Sequence, residues 1–427
     1  MIKMLSNRIT EKGLQSTLNY ACRVSARKAL SLPMRLKRQY YLHVVLPKQA
    51  EKIRIYWSAA SHSDFQKIRN SGLNYIRSNQ KPEVCVGACS YKPKGPALLY
   101  ASCYAALTRH LYGNLDIVSI ADKRSWIRYI QNYQCDDGLF RDPLINIPLA
   151  EDADWWGWRH LTLHVIMALT ALGGIAQKEF RSLDSFCKPG AMIRWLEARN
   201  WKLDPAGASN EIQNYGSLLQ YARDFQNQEW CQDALEEMYV WLDRHQDPVT
   251  GLWGNRFDTA SLLSNGVQTG YHLWLLYLYD KRPIQHVDRI IDNCLATQNR
   301  LGGFGVPLNS SACEDIDSID PLARLYFMTD YRRDEIRAAL RKAFFWVLVN
   351  VNSDGGWVFR RGEKFCYGHK LMTAYINESS MFSTWFRTLS LAHLGKPLPD
   401  SPAGYFNWNF IDCPGLQFWN LAAEEVS

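Results

Sequence analysis

The sequence lacks several features that would place it in a familiar class. No apolar run approaches the roughly 20 residues that a helix needs to cross a bilayer. No N-terminal stretch has the apolar core of a secretory signal, and period-two strand patterns are scarce. The 11 Cys form neither a CxxC pair nor a Cys/His cluster, which disfavours a zinc site. These absences predict a cytoplasmic, helical protein with free thiols.

Acidic residues are almost missing from the N-terminus. Residues 1–56 hold 12 Lys and Arg against Glu11 and Glu51, a net charge of +10, so the remaining chain carries −3 of the total of +7. A basic stretch of this kind favours peripheral contact with an anionic membrane or a partner, and its plain alternative is a solvated helical extension. The rest of the chain has no basic clusters, so we expect no nucleic-acid partner. Nothing in the sequence indicates an oligomeric state.

The chain is rich in one repeated pattern. An aromatic–aliphatic pair, or a close variant, is followed after three residues by Gln or Asn, and this recurs six times at intervals of 46 to 66 residues. A period of that size is typical of supersecondary units that bury their apolar faces against neighbours. The six anchors lie at 75–80, 129–134, 195–200, 241–246, a weaker 293–298 and 347–352, and four of them continue into a Gly-aromatic turn that ends at Phe140, Trp253, Phe304 or Trp357.

The segments around the anchors read as two kinds of helix. Residues 154–172 and 379–394 are apolar on all sides, as in a buried helix, whereas residues 231–244 and 333–349 carry charge on one side. Six outer and six inner helices predict an all-α fold, an (α/α)6 toroid with a double ring. The predicted boundaries are a basic extension at 1–65, helical or partly disordered, the toroid at 66–400, and a segment at 401–427 packing on it.

The Gln, Gly and aromatic residues of each repeat are expected to be structural. A Gln at the end of an outer helix can bond orphan carbonyls and a neighbour's free amides. Gly permits the tight turn, and the aromatic ring fills the gap between adjacent outer helices.

The repeat unit resembles the QW repeat of terpenoid cyclases, as in Tyr129-Ile130-x3-Gln134-x3-Gly138-Leu139-Phe140. The chain between about residues 70 and 395 thus resembles the superfamily of squalene–hopene cyclases and protein prenyltransferase β-subunits. The resemblance implies the toroid and an isoprenoid substrate. It also implies an isomerase or lyase of the class II type, which starts cyclisation by protonating an alkene or epoxide.

Class II members of that superfamily use an Asp-x-Asp-Asp motif, and the nearest match here is Asp315-Ile316-Asp317-Ser318. By this resemblance Asp317 is the proton donor and Asp315 its partner, although Ser318 replaces the last Asp. Four acids within seven residues repel one another and raise at least one pKa, which suits a carboxylic acid that stays protonated. Helix capping is the competing interpretation for Asp315 and Asp317.

Other polar residues fall at the predicted starts of inner helices. His369 lies 17 residues beyond Asn352 and is the third candidate catalytic residue. A cavity lined by Trp, Arg, His and acids suits an isoprenoid or a sugar. The candidate substrate-binding residues are Asp152, Asp154, Trp155, Trp156, Trp158, Arg159, His160, Glu378, Trp385 and Arg387, with satisfied core polar groups as the alternative.

Three functions therefore stay open. The first is a protonation-initiated cyclase without a cofactor, with Mg²⁺ expected if the substrate is a diphosphate. The second is a carbohydrate-active (α/α)6 lyase or hydrolase, for which two opposed carboxylates would be the signature. The third is a non-catalytic toroid that binds a lipid or protein partner.

Overall fold

The computed structural model describes residues 32–145, 156–254 and 257–422. Residues 1–31 of the predicted N-terminal extension, and the candidates Asp152, Asp154 and Trp155, lie outside the described residues.

The described residues are mostly helical, which confirms the all-α class. A π-helical turn at Tyr41–Val45 joins the first two α-helices, and short 3₁₀ helices lie at Leu115–Ile117, Arg181–Phe186 and Lys370–Met372. An antiparallel hairpin pairs β1 (Phe365–Cys366) with β2 (Thr373–Ala374). The α-helices are α1 (Leu32–Tyr40), α2 (Leu46–Ser58), α3 (His62–Ser78), α4 (Leu99–Leu111), α5 (Ile120–Gln131), α6 (Trp158–Leu172), α7 (Ala191–Glu197), α8 (Pro205–Gln226), α9 (Cys231–His245), α10 (Ala260–Tyr279), α11 (Val287–Ala296), α12 (Ala312–Met328), α13 (Arg333–Val349) and α14 (Met381–Gly395).

Helix boundaries follow local residue chemistry. The predicted amphipathic segments at 231–244 and 333–349 are α9 and α13. The predicted inner helix at 154–172 begins later, at Trp158, because the extended Gly157 precedes it and glycine is a poor helix former. Ser311 begins α12 with a capping box, in which its side chain accepts from the Glu314 amide while the Glu314 carboxylate accepts from the Ser311 amide.

From α4 onward, the even-numbered helices form the inner layer. Helix α4 packs against α6, α6 against α8, and the order continues through α10 and α12 to α14, which packs back against α4. All fifteen residues of α14 are buried, polar ones included. The odd-numbered helices α3 to α13 each bury one side and expose the other, as amphipathic outer helices do.

The repeat glutamines join neighbouring units as the sequence predicts. Gln298 donates to the carbonyl of Gly302 at 3.0 Å and to that of Ala339 on α13 at 2.8 Å. Gln134 donates to the carbonyls of Gly138 and Lys178, both at 2.9 Å. The aromatic residues that end the four turns are buried. These residues are therefore structural.

The repeat glycines permit a close contact between units. Gly302 has φ +96°, and a Cβ atom there would lie 2.5 Å from the Lys342 carbonyl oxygen on α13. Gly355, in the last repeat, has φ +84°, and its Cβ would lie 2.1 Å from the Ser71 carbonyl oxygen on α3. The last Gly turn therefore packs against the first outer helix.

The chain after α14 crosses the C-terminal ends of the inner helices. Gln417 accepts from the Trp385 indole at 2.7 Å and donates to the Leu107 carbonyl at 3.2 Å. Arg324 on α12 donates to the carbonyls of Phe418 and Asn420. At the other end of the chain, Leu42 and Leu46 pack against Trp346 of α13.

None of the helices in the described segments combines the length and apolarity that crossing a membrane requires. The domain boundaries expected from the sequence stay predictions.

Replacing Gly302 by Ala should destabilise the protein by at least about 3 kcal/mol, because the left-handed conformation and the clash with the Lys342 carbonyl add together. Gly173→Ala is the matched control, since Gly173 also has positive φ but no atom lies within 4 Å of the methyl group that alanine would add. It should cost about 1–2 kcal/mol. Urea denaturation measures both, and equal losses would contradict the close packing of the turn.

Candidate active site

His160 on α6 lies between two phenols in the interior. Its Nδ1 is 2.8 Å from the Tyr100 hydroxyl on α4, and its Nε2 is 3.1 Å from the Tyr367 hydroxyl on the β-hairpin. Burial first, and then His164 and His272, hold the pKa of His160 well below its ordinary value. The imidazole is therefore neutral, so one ring nitrogen accepts a hydrogen bond from one phenol and the other nitrogen donates a hydrogen bond to the other phenol.

Histidines from three different positions meet in this interior. His272 lies on α10, which α8 separates from the α6 helix of His160, yet His272 influences the pKa of His160. Burial lowers the pKa of His164 to about 4 and that of His272 to about 3. All three imidazoles are thus uncharged near neutral pH.

Aromatic rings line the interior beside His160. Trp156 stacks on Tyr100 with ring centroids 5.4 Å apart, and Tyr104 stacks on Trp385 at 5.2 Å. The candidates Trp156, His160 and Trp385 therefore share one aromatic cluster, although the Trp385 indole N–H is bonded to Gln417.

The neighbouring candidates Trp158 and Arg159 have different surroundings. Trp158 is buried at the first turn of α6. The Arg159 guanidinium lies 4.6 Å from the centre of the Tyr215 ring, and Tyr215 packs against Phe186 and Trp195 of the outer layer. The structure thus shows Arg159 in a cation–π contact within the protein.

Asp315 is a fully bonded, fully buried carboxylate. One oxygen accepts from the Phe304 amide at 2.8 Å and from the Ser310 hydroxyl at 2.7 Å. The other accepts from the Trp346 indole at 2.9 Å and from the Arg387 guanidinium. Four donors leave little capacity for a further partner, so these contacts give Asp315 a structural role, and its expected part in catalysis stays a prediction.

Arg387, a predicted substrate-binding residue, is also bonded within the protein. Besides Asp315, it donates to the carbonyls of Ser310 and Phe359, and its side chain is completely buried. A guanidinium committed to one carboxylate and two carbonyls is a poor binding group for a substrate.

Asp317, in contrast, has no hydrogen-bond partner among the described residues, although its residue is only 3% exposed. Burial raises the pKa of Asp317 well above its ordinary value, and the carboxylates of Glu314, Asp315 and Asp320 raise it further. Asp317 therefore keeps its proton to a higher pH than an exposed aspartate does. This agrees with the sequence-based expectation of one raised pKa in the acidic cluster.

The other buried carboxylates in the described segments are engaged. Asp142 accepts from the Leu99 amide at 2.8 Å, and Glu211 pairs with Arg199 at 2.6 Å. Asp320 pairs with Arg324 at 2.5 Å, between α12 and the C-terminal segment.

His369 and Glu378 lie at the hairpin and the turn that precede α14. The half-buried His369 caps a 3₁₀ helix by accepting from the Leu371 amide at 3.3 Å, and burial lowers its pKa. No contact within the described part of the chain joins it to Asp315 or Asp317. Glu378 accepts from Lys92 at 2.9 Å and from the Tyr375 amide at 2.7 Å. Glu378 is therefore a rim residue with two partners.

Sequence reasoning missed a set of buried polar groups on α8 and α10. The Gln213 side-chain nitrogen, the Ser217 hydroxyl and the Tyr271 hydroxyl are buried without a hydrogen-bond partner in the described residues. The available signal was the run of Ser, Asn and Gln along α8, which recurs at helical spacing inside a helix that the repeat places in the inner layer.

Two surface clefts lie apart from this interior. One is lined by charged residues that include Arg223 and Asp280, and the other is a groove between α11 and the end of α12. In the described ranges, no three His, Cys, Asp or Glu side chains are placed to hold one metal ion. The Mg²⁺ expected for a diphosphate substrate stays an expectation.

Breaking the buried pair by Arg387→Met should destabilise the protein by about 3–5 kcal/mol, because it leaves the Asp315 carboxylate buried without its cation. Arg341→Met is the control, since Arg341 pairs with Asp400 at 42% and 49% side-chain exposure and should lose less than about 1 kcal/mol. Urea denaturation of a double-mutant cycle with Asp315→Asn measures the coupling. Additive losses would exclude the pairing.

The raised pKa of Asp317 predicts a pH-dependent gain in stability for Asp317→Asn. The unfolded chain ionises Asp317 above its ordinary pKa of 3.8, whereas the folded protein holds the proton to higher pH. The free energy of unfolding therefore falls as pH rises above 3.8 and levels off above the raised pKa. Compared with wild type, the variant should melt higher at about pH 8 and show no such gain at about pH 4. A melting difference that stays constant across this range would mean that Asp317 titrates normally.

No protein-family model matches the chain, and no curated protein matches it in sequence. A crystal structure of a protein from Actinoplanes is a distant structural neighbour, 12% identical, covering 78% of this chain and 99% of that chain with a TM-score of 0.40. At that TM-score the similarity carries no argument about activity, so the function rests on the interior of this chain.

Proposed function

We propose that the helices form an (α/α)6 toroid whose centre is the active site. The support is the order of packing, in which each inner helix contacts the next and α14 returns to α4. The contact of Gly355 with Ser71 on α3 supports the same closure in the outer layer.

We propose that the protein is a protonation-initiated isoprenoid cyclase with Asp317 as the acid. The observation that carries the proposal is a buried carboxyl group with a raised pKa and no hydrogen-bond partner among the described residues. A general acid for an alkene must be protonated at working pH and free to give its proton to carbon. In the described segments, the other buried carboxylates are committed to arginines or backbone amides.

The reaction begins when the Asp317 proton moves to a terminal alkene carbon. The π electron pair forms the new C–H bond, which leaves a carbocation on the neighbouring carbon and a carboxylate on Asp317. Further alkenes attack the cation in turn and form the rings, and transfer of a proton from carbon back to the Asp317 carboxylate ends the sequence and restores the acid. The product is an isomer of the substrate.

The surrounding rings suit that intermediate. The faces of Tyr100, Tyr104 and Trp385 can stabilise a cation through their π systems, and these rings lie in one buried cluster. Burial also keeps water away from the cation and limits early quenching.

Asp315 and Ser318 then have supporting roles. Asp315 fixes the first turn of α12 by bonding four donors, which positions Asp317 half a turn later. Ser318 lies close enough to Cys294 on the outer helix α11 to lower the pKa of that thiol, which burial raises. The residue after Asp317 thus points toward the outer layer, so the absence of a third Asp there leaves the acid itself intact.

The carbohydrate alternative depends on a second free carboxylate, since hydrolysis of a glycoside uses an acid and a base or nucleophile about 5–10 Å apart. Glu151, Asp152 and Asp154 lie outside the described residues and are the remaining candidates for that role. Replacing these carboxylates by their amides separates the two chemistries. A glycoside hydrolase that uses one of them would lose its activity, whereas a cyclase initiated by Asp317 would not need them as acids.

Asp317→Asn should lower product formation by about 10²–10⁴-fold, the usual contribution of a general acid. The assay incubates the full chain with a panel of polyprenes and isoprenoid diphosphates of different lengths and measures cyclic products by mass spectrometry. Asp400→Asn, at an exposed position, is the control and should keep wild-type activity. Product formation that survives Asp317→Asn would remove Asp317 from the role of acid.

A further inference from the structure

Three buried polar groups on the neighbouring helices α8 and α10 have no partner in the described part of the chain. They are the Gln213 side-chain nitrogen and the Ser217 hydroxyl on α8, and the Tyr271 hydroxyl on α10. All three residues are at most 2% exposed. An unsatisfied buried donor or acceptor costs about 1–3 kcal/mol, so three of them together indicate a bound molecule that supplies the missing hydrogen bonds.

The fold brings these groups to one region. Gln213 and Ser217 are four residues apart and therefore share a face of α8. Helix α8 packs against α10, where His272, next to Tyr271, bonds with Ser209 and Asn210, one turn before Gln213.

The region adjoins the acid. Helix α10 packs against α12, and the carboxyl groups of Asp320 and Asp317 both help to raise the pKa of the Tyr271 phenol, after its burial. The three unpartnered groups and the Asp317 carboxyl are therefore contributed by three successive inner helices.

The charged groups described in this interior are already paired, which favours a neutral ligand. Arg324 and Arg387 are fully buried and each is paired with an aspartate, and Arg199 is paired with Glu211. The buried histidines His160, His164 and His272 are neutral because burial lowers their pKa values. A diphosphate would enter a space where the described cations are already committed, at a high cost in desolvation.

The hydrogen-bonding character of the groups narrows the ligand further. The Gln213 nitrogen can only donate, whereas the Ser217 and Tyr271 hydroxyls can donate and accept. A ligand hydroxyl satisfies a donor and an acceptor together, but an ether or a hydrocarbon cannot do so.

We propose that Gln213, Ser217 and Tyr271 form a subsite for the hydroxyl group of an uncharged polyprenyl alcohol, whose chain folds back so that its terminal alkene reaches Asp317. The subsite rests on the proposed function, because it assumes that an isoprenoid occupies the interior. It assigns the substrate to the alcohols rather than to the diphosphates or the plain polyenes.

The test compares four ligands with one chain: geranylgeraniol, its methyl ether, the corresponding C20 hydrocarbon and geranylgeranyl diphosphate. Binding to the full chain is followed by quenching of the intrinsic tryptophan fluorescence. The alcohol should bind about tenfold more tightly than each of the others, the factor expected for one net hydrogen bond in a buried site. Equal binding of alcohol and hydrocarbon, or tighter binding of the diphosphate, would overturn the subsite.

Variants locate the preference. Ser217→Ala should reduce the preference for alcohol over hydrocarbon about tenfold without weakening hydrocarbon binding. Ser390→Ala is the matched control, because Ser390 is also buried on an inner helix but donates its hydroxyl to the Phe386 carbonyl. Gln213→Leu provides a second test with the same expectation, and its melting temperature shows whether it folds. A preference that both variants retain would refute the assignment.

Product analysis in the same samples separates the two proposals. An alcohol preference without any cyclic product overturns the acid chemistry of Asp317 and leaves the subsite in place. Cyclic product from the hydrocarbon, without an alcohol preference, overturns the subsite and leaves the acid chemistry. Failure of all four ligands to bind overturns both.

Discussion

The buried ion pair between Asp315 and Arg387 is the interaction that holds the start of α12 to the elements around it. Its carboxylate joins the Gly-aromatic turn at Phe304, the outer helix α13 through Trp346, and the inner helix α14 through Arg387. A buried charge that loses its partner costs several kcal/mol, so moving any one of these elements away from the others would be strongly destabilising. The acidic cluster of α12 therefore contains Asp315, which is fully hydrogen-bonded, and Asp317, which has no hydrogen-bond partner among the described residues.

That division explains how one helix holds carboxyl groups in different states. Asp315 and Asp320 are each matched by a buried arginine and serve packing. Asp317 lies between them without a cation, and the neighbouring negative charges make its ionisation costly. Burial and the neighbouring carboxylates thus together raise the pKa of Asp317, which favours the protonated form that the proposed proton donor requires.

The helical class and the contacts within each repeat were predictable, because the repeat is local. Gln298, Gly302 and Phe304 lie within seven residues, and their hydrogen bonds and φ angles follow from residue types alone. The limits of a helix were predictable where its charges lie on one side, as in α13. They were less predictable for α6, because the apolar pattern begins at residue 154 but the helix begins at Trp158, after Gly157.

The candidate site was less predictable, because partners distant in sequence determine it. Asp315 and Asp317 look alike in the motif, and partners elsewhere in the chain make them different, among them Arg387, 72 residues after Asp315. Gln213, Ser217 and Tyr271 were missed because a polar residue on an inner helix gives no sign of whether a neighbouring helix satisfies it.

The sequence by itself determined the helical class, the two kinds of helix and the structural role of the repeat residues, because these depend on spacing along the chain. Only the tertiary structure decided which buried polar groups are paired and which are free. Pairing depends on distances between helices that the sequence separates, and in an interior of low dielectric constant a single partner determines the charge of a group.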